Sequence, residues 1–215
     1  MSIELLRKHR FVGILRHIRP EVALPAAKAM YEGGIRIFEI TFDPSRDTTA
    51  QETGEIIRQL RAYFGDDVSV GAGTVLTVDY AKAAWEAGAQ FIVAPNTDEQ
   101  VIAFTKGKGL LSIPGAYTPT EIMRAYQLGA DVVKIFPILP DGEAYLKNVV
   151  SPLSHIPFMV TGGINPNTIE KFLATGATAL AAGVTIVNPE LADSGDFDTI
   201  RENARRHAEK INSLL

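Results

Sequence analysis

Short apolar runs alternate with amphipathic stretches along this chain, and the alternation never breaks. Phe11 to Leu15 reads as a strand, and the helix after it has Pro20 in its first turn and Gly33 and Gly34 at its stop. Ile35 to Phe42 reads as the second strand, Thr48 to Tyr63 as a helix, Val68 to Gly71 as a strand and Val78 to Ala87 as a helix ended by Gly88. The unit repeats through strand Phe91 to Ala94, helix Asp98 to Lys106, strand Leu110 to Ile113 and helix Pro119 to Leu128 with Gly129. Strand Val132 to Phe136, helix Gly142 to Val150, strand Phe158 to Val160 and helix Asn167 to Thr175 follow, then strand Ala179 to Ala182 and a closing helix from about Phe197 to Leu215. This makes eight strands and eight helices. Four helices run through a small-residue stop straight into a strand, at EGGIRIFEI, EAGAQFIVA, QLGADVVKI and ATGATALAA, so one βα unit recurs. A parallel sheet closed on itself, the (β/α)8 TIM barrel, is the expected α/β architecture. A doubly wound open sheet is the alternative, but GAGTVL has Leu76 where a dinucleotide fingerprint needs its third glycine.

Length and composition narrow the classes. At 215 residues the chain suits a single barrel domain spanning 1–215. With 46% hydrophobic and 21% charged residues and no long uncharged apolar run, no membrane partner is expected. The basic cluster Arg7 to Arg10 precedes only the short run Phe11 to Leu15, too little for a signal-peptide core, so a cytoplasmic location is expected. The absence of cysteine removes thiolate metal sites and a cysteine nucleophile, and the four histidines show no metal-ligand spacing. A net charge of −4 argues against nucleic acid as a partner.

One stretch violates the pattern. In Ala130 to Pro140, ADVVKIFPILP, Lys134 interrupts a run of β-branched and aromatic residues that Pro137 ends. Burying an ammonium costs on the order of several kcal/mol unless it is paired or loses its proton, and a free amine in a dry pocket attacks carbonyls. Snorkelling to the surface, or pairing with a carboxylate, is the other reading. In this fold chemistry gathers at the C-terminal ends of the strands. The residues there are Arg16, Glu39, Thr41, Thr74, Pro95, Asn96, Pro114, Gly115, Lys134, Phe136, Thr161 to Gly163 and Gly183 to Thr185. Period-two alternation puts Ile37, Glu39 and Thr41 on one strand face and Phe38, Ile40 and Phe42 on the other, so Glu39 is expected to point into the barrel as Lys134 does. The two form either a space-filling ion pair or the minimum equipment for Schiff-base chemistry. The segments TGGIN and AAGVT follow the last two strands, where barrels often hold phosphate on backbone N–H groups.

Taken together, GGIRIFEIT, GAGTVL, GAQFIVAPN, IPGAYTPTE, VVKIFP and TGGIN resemble the 2-keto-3-deoxy-6-phosphogluconate (KDPG) aldolases and their 2-keto-3-deoxy-6-phosphogalactonate and 4-hydroxy-2-oxoglutarate relatives, from about Phe11 to Pro189. The resemblance implies that Lys134 forms the Schiff base and that Glu39 transfers protons. It implies that Thr74, Pro95, Phe136 and Thr161 line the pyruvate end, that Gly162, Gly163, Gly183 and Val184 contact phosphate, and that the enzyme is a homotrimer with no metal or organic cofactor. Two departures stand out. The position four after the glutamate, often arginine in gluconate-type members, is Asp43 here, which leaves Arg16 in FVGILRHI, or Arg46, to hold the substrate carboxylate. Thr185 stands where many members have serine and keeps a hydroxyl for the anion site. The expected reaction is cleavage of a phosphorylated 2-keto-3-deoxy sugar acid to pyruvate and glyceraldehyde 3-phosphate. The competing readings are a 4-hydroxy-2-oxoglutarate aldolase, a barrel isomerase or synthase acting on a sugar phosphate, and a non-catalytic barrel that binds phosphometabolites.

Overall fold

A computed structural model describes residues 1–138 and 142–215. Leu139 and Pro140, the last two residues of the anomalous stretch, lie outside them. The strands are β1 (Phe11–Leu15), β2 (Ile37–Thr41), β3 (Ser69–Gly73), β4 (Phe91–Val93), β5 (Leu111–Ile113), β6 (Gly115–Ala116), β7 (Val133–Ile135), β8 (Phe158–Thr161) and β9 (Ala179–Ala182). All pair in parallel, in the order β5-β4-β3-β2-β1-β9-β8-β7-β6. β5 matches the expected fifth strand, and β6 is a short extra strand after Pro114, which has no N–H to give to a ladder. β5 pairs with β4 and β6 with β7. The Pro114 carbonyl still accepts from Lys134 N at 2.8 Å, so the chain itself closes the ring between β5 and β6.

Each strand is buried on both faces, which explains why the strands read as continuous apolar runs. Val12, Ile37, Phe91, Ile113, Val132 and Met159 point inward and pack together inside the barrel. Their neighbours in sequence, such as Phe38, Ile40, Val133 and Ile135, face the helices. The alternation expected for β2 and β7 is therefore realised on both strands.

Ten α-helices surround the sheet among the described residues, where eight were expected. They are α1 (Ile3–His9), α2 (Pro20–Glu32), α3 (Thr49–Phe64), α4 (Val78–Glu86), α5 (Glu99–Gly107), α6 (Pro119–Gln127), α7 (Glu143–Val150), α8 (Ile169–Leu173), α9 (Pro189–Ser194) and α10 (Phe197–Asn212). The two unexpected helices are short. In α1 the Ser2 hydroxyl accepts from Leu5 N, and only Leu6 is buried, so it shows little apolar periodicity. Leu6 joins the inward cluster and closes the N-terminal mouth of the barrel. α9 starts with an Asn188 cap followed by Pro189, a start signal in too short a segment to register as an element. The recurring helix stop has a common backbone cause: Gly34, Gly88, Gly129 and Gly176 have φ of +103°, +92°, +101° and +91°, a region that disfavours side chains. No helix among the described residues is long and apolar enough to cross a membrane.

Candidate active site

Lys134 is the middle residue of β7, paired with Gly115 on one side and Met159 on the other. Its side chain is only 7% exposed. Glu39, on β2 opposite Ile14 of β1 and Gly71 of β3, is 1% exposed. Both enter one cavity of about 540 Å³ at the C-terminal mouth. Room for Glu39 comes from Gly73, where an added Cβ would lie 1.9 Å from Glu39 Oε1. In the same strand a Cβ on Gly71 would lie 2.5 Å from the Phe91 ring. The glycines of GAGTVL thus make space for two inward side chains.

Burial pushes the Lys134 amine below the ordinary lysine value; the Glu39 carboxylate opposes this shift, and the Arg16 cation adds to it. Burial likewise raises the Glu39 carboxyl above its ordinary value, against Lys134 and Arg16, which favour its ionised form. Among the described residues Lys134 forms no direct ion pair, and its Nζ lies 4.8 Å from the centre of the Phe136 ring. The two groups are near enough to feel each other's charge without being locked together, so a simple space-filling pair does not describe them.

Glu39 Oε2, Thr41 Oγ1 and Thr161 Oγ1 are buried without a hydrogen-bond partner among the described residues, and all three residues line the cavity. Unpaired buried polar atoms are uncommon and costly, and these converge where a polar substrate would sit. Twelve of the residues expected to act or bind line this same cavity: Lys134, Glu39, Arg16, Thr74, Pro95, Phe136, Thr161, Gly162, Gly163, Gly183, Val184 and Thr185. Among the described residues the N–H groups of Gly162, Gly163 and Val184 have no acceptor. Close backbone packing explains two of the glycines. A Cβ on Gly162 would lie 2.8 Å from the Ile138 carbonyl oxygen, and one on Gly183 would lie 3.0 Å from that of Ile14.

Two expectations need correction. The Thr185 hydroxyl is not spare: it lies 3.0 Å from the Ile164 carbonyl and 3.1 Å from Nε2 of the buried His207 on α10, so it ties loops together. Arg46 pairs with Glu52 at 2.7 Å and does not line the cavity. Asn96, which only follows a strand end in the sequence, does not line it, and its carbonyl accepts from Gly115 N. Conversely, His17, Asn165 and Asn188 line the cavity and were not singled out from the sequence. Their placement depends on loop geometry after the strands, which periodicity does not report. A second cavity of about 320 Å³ around Arg7, Lys147 and His155 contains none of the expected residues. No group of three or more His, Cys, Asp or Glu side chains suited to a metal ion occurs among the described residues.

Residues 3–203 match the family model for KDPG and KHG aldolase. The chain is 38% identical over 198 residues to the 2-dehydro-3-deoxy-phosphogluconate aldolase of Treponema pallidum (strain Nichols), covering 92% of this chain and 91% of that one. It is 31% identical over 192 residues to the KHG/KDPG aldolase of Escherichia coli (strain K12), covering 88% and 86%. The solved structure of native KDPGal superposes with a TM-score of 0.84 at 27% identity, over 94% of each chain. With this match across nearly the whole barrel, and the buried lysine and glutamate facing one cavity, the chain belongs to the KDPG and KHG aldolase family.

Proposed function

We propose that this chain is a class I aldolase that cleaves a 2-keto-3-deoxy-6-phospho sugar acid to pyruvate and glyceraldehyde 3-phosphate. The observation that carries this reading is Lys134, a buried lysine whose amine is pushed toward its neutral form and which enters a largely apolar cavity beside a carboxyl pushed toward its protonated form. The chemistry follows from those two groups. Neutral Lys134 adds to the C2 ketone, and the carbinolamine hydroxyl leaves as water with a proton from Glu39, giving an iminium ion and the Glu39 carboxylate. Glu39, directly or through a water, takes the C4 hydroxyl proton. The C3–C4 bonding electrons move to the iminium, which becomes an enamine, and the aldehyde departs. Glu39 then returns a proton to C3, and hydrolysis of the iminium releases pyruvate and restores the amine. A carboxyl with a raised pKa serves both directions of this transfer.

Thr74, Pro95, Phe136 and Thr161 surround the three-carbon acid end, and Arg16 holds its carboxylate. The N–H groups of Gly162, Gly163 and Val184, which have no acceptor among the described residues, support with Gly183 a phosphate site. The family resemblance also supports a homotrimer. Light scattering on the purified protein tests the trimer.

Borohydride added with pyruvate should trap a pyruvyl adduct on the wild-type chain and none on Lys134→Ala. An adduct on Lys134→Ala would overturn the assignment, and no adduct on the wild type would favour the isomerase or binding-protein readings. One observation favours a second reading: apart from Arg16 and Lys134, no lysine or arginine among the described residues lines the cavity. Phosphate binding then rests on backbone groups alone. A wild-type preference for 4-hydroxy-2-oxoglutarate, giving pyruvate and glyoxylate, would replace the phosphorylated substrate and leave the Lys134 chemistry intact. Kinetics on the two C4 epimers would decide the sugar series.

A further inference from the structure

We propose that His17 and Asp43 form a brace that holds the Arg16 guanidinium over the cavity, which makes both of them positioning residues for the carboxylate of the substrate. The inference rests on Arg16 as the carboxylate ligand.

The geometry has one consistent reading. Arg16 Nε lies 3.2 Å from His17 Nε2, and an arginine N–H only donates, so Nε2 accepts. The ring proton is therefore on Nδ1, which lies 3.1 Å from Asp43 Oδ2 and donates to it. The other carboxylate oxygen, Asp43 Oδ1, accepts from Ser45 N at 3.1 Å and from Ser45 Oγ at 2.6 Å. Every atom of this relay has a fixed donor or acceptor role, from the Ser45 turn through Asp43 and His17 to Arg16. Because the relay occupies Nε, the two terminal nitrogens of Arg16 are left to face an anion as a fork.

The backbone gives an independent sign. His17 has φ of +56°, a left-handed conformation uncommon outside glycine. A conformation of this kind persists where the side chain is needed. It also gives Asp43 a purpose: its carboxylate orients the His17 ring. The charged groups around the ring are Arg16 and Asp43, and Glu39 and Lys134 share the same cavity.

The test is a double-mutant cycle read by borohydride trapping with pyruvate, which carries the carboxylate and no phosphate. His17→Gly relieves the positive φ, so thermal stability should stay close to wild type while the half-saturating pyruvate concentration rises roughly tenfold, the loss of one hydrogen bond to a charged group. The trapping rate at saturating pyruvate should change far less. Asp43→Asn keeps the shape, but with Oδ1 held by Ser45 its amide would face His17 Nδ1 and reverse the proton roles along the relay. It should weaken pyruvate similarly. In an Arg16→Gln background neither change should weaken binding further. If Arg16→Gln alone leaves half-saturation unchanged, the carboxylate assignment of Arg16 falls. If Arg16→Gln weakens binding and His17→Gly multiplies that loss by its full single-variant factor, Arg16 stands and the brace is wrong.

Discussion

Lys134 and Glu39 each work because the barrel interior resists their charge, and the causes of the two shifts lead to opposite experiments. Arg16 pushes the Lys134 amine down and Glu39 holds it up. Arg16→Gln should therefore move the pH midpoint of pyruvate trapping upward, and Glu39→Gln should move it downward, both read at saturating pyruvate. Midpoints that shift together would show that burial alone sets the amine. The same burial works against stability. The unfolded lysine holds its proton more tightly than the folded one, so stability falls as pH drops from the ordinary lysine range through the lowered value. The unfolded glutamate loses its proton more readily than the folded one, so stability falls as pH rises from the ordinary carboxylate range through the raised value. Near neutral pH both groups oppose folding. The paired change Lys134→Met with Glu39→Gln should stabilise the protein by roughly 1 to 4 kcal/mol in urea unfolding and abolish trapping. These two residues were legible in the sequence because a charge in an apolar strand violates a simple period. His17 was not legible, since its role depends on a left-handed backbone and on an aspartate beyond an intervening helix and strand.

At the level of elements, the packing of β3 against β2 gives the glycine motif a function that no reading of one strand supplies. Gly73→Ala puts a methyl group where Glu39 Oε1 lies, so the carboxyl must move. Proton exchange at the methyl carbon of bound pyruvate, followed in deuterated water by mass or NMR, should slow on the order of 10²-fold, as for loss of the base itself, while borohydride trapping persists. Exchange at the wild-type rate would show that Glu39 has room to spare. The sequence marked GAGTVL only as a family resemblance and an incomplete dinucleotide fingerprint, because the constraint lies across the sheet. The helix stops were legible for the opposite reason. Each is local, and one backbone conformation recurs at Gly34, Gly88, Gly129 and Gly176. Thr185 was misjudged because its hydroxyl partners come from another loop and from α10.

The closed ring of parallel strands was legible in the repeated βα unit, whereas its end pieces were not. A short extra strand follows Pro114, and α1 adds a plug that has only Leu6 to announce it. Leu6 is fully buried in the inward cluster, so Leu6→Ala should lower unfolding free energy by about 2 to 5 kcal/mol. The half-saturating pyruvate concentration should hardly change, because the plug sits at the end opposite the cavity; a large change would mean that the two mouths communicate. A barrel sealed below and open above also imposes an order of traffic. Substrate, water and both products share one doorway, and the pyruvyl fragment is bonded to Lys134 at its inner end when the aldehyde is set free. The aldehyde must leave first, and in the reverse direction it must arrive second. Steady-state inhibition should then be competitive for pyruvate and noncompetitive for the aldehyde, the signature of a single-file queue.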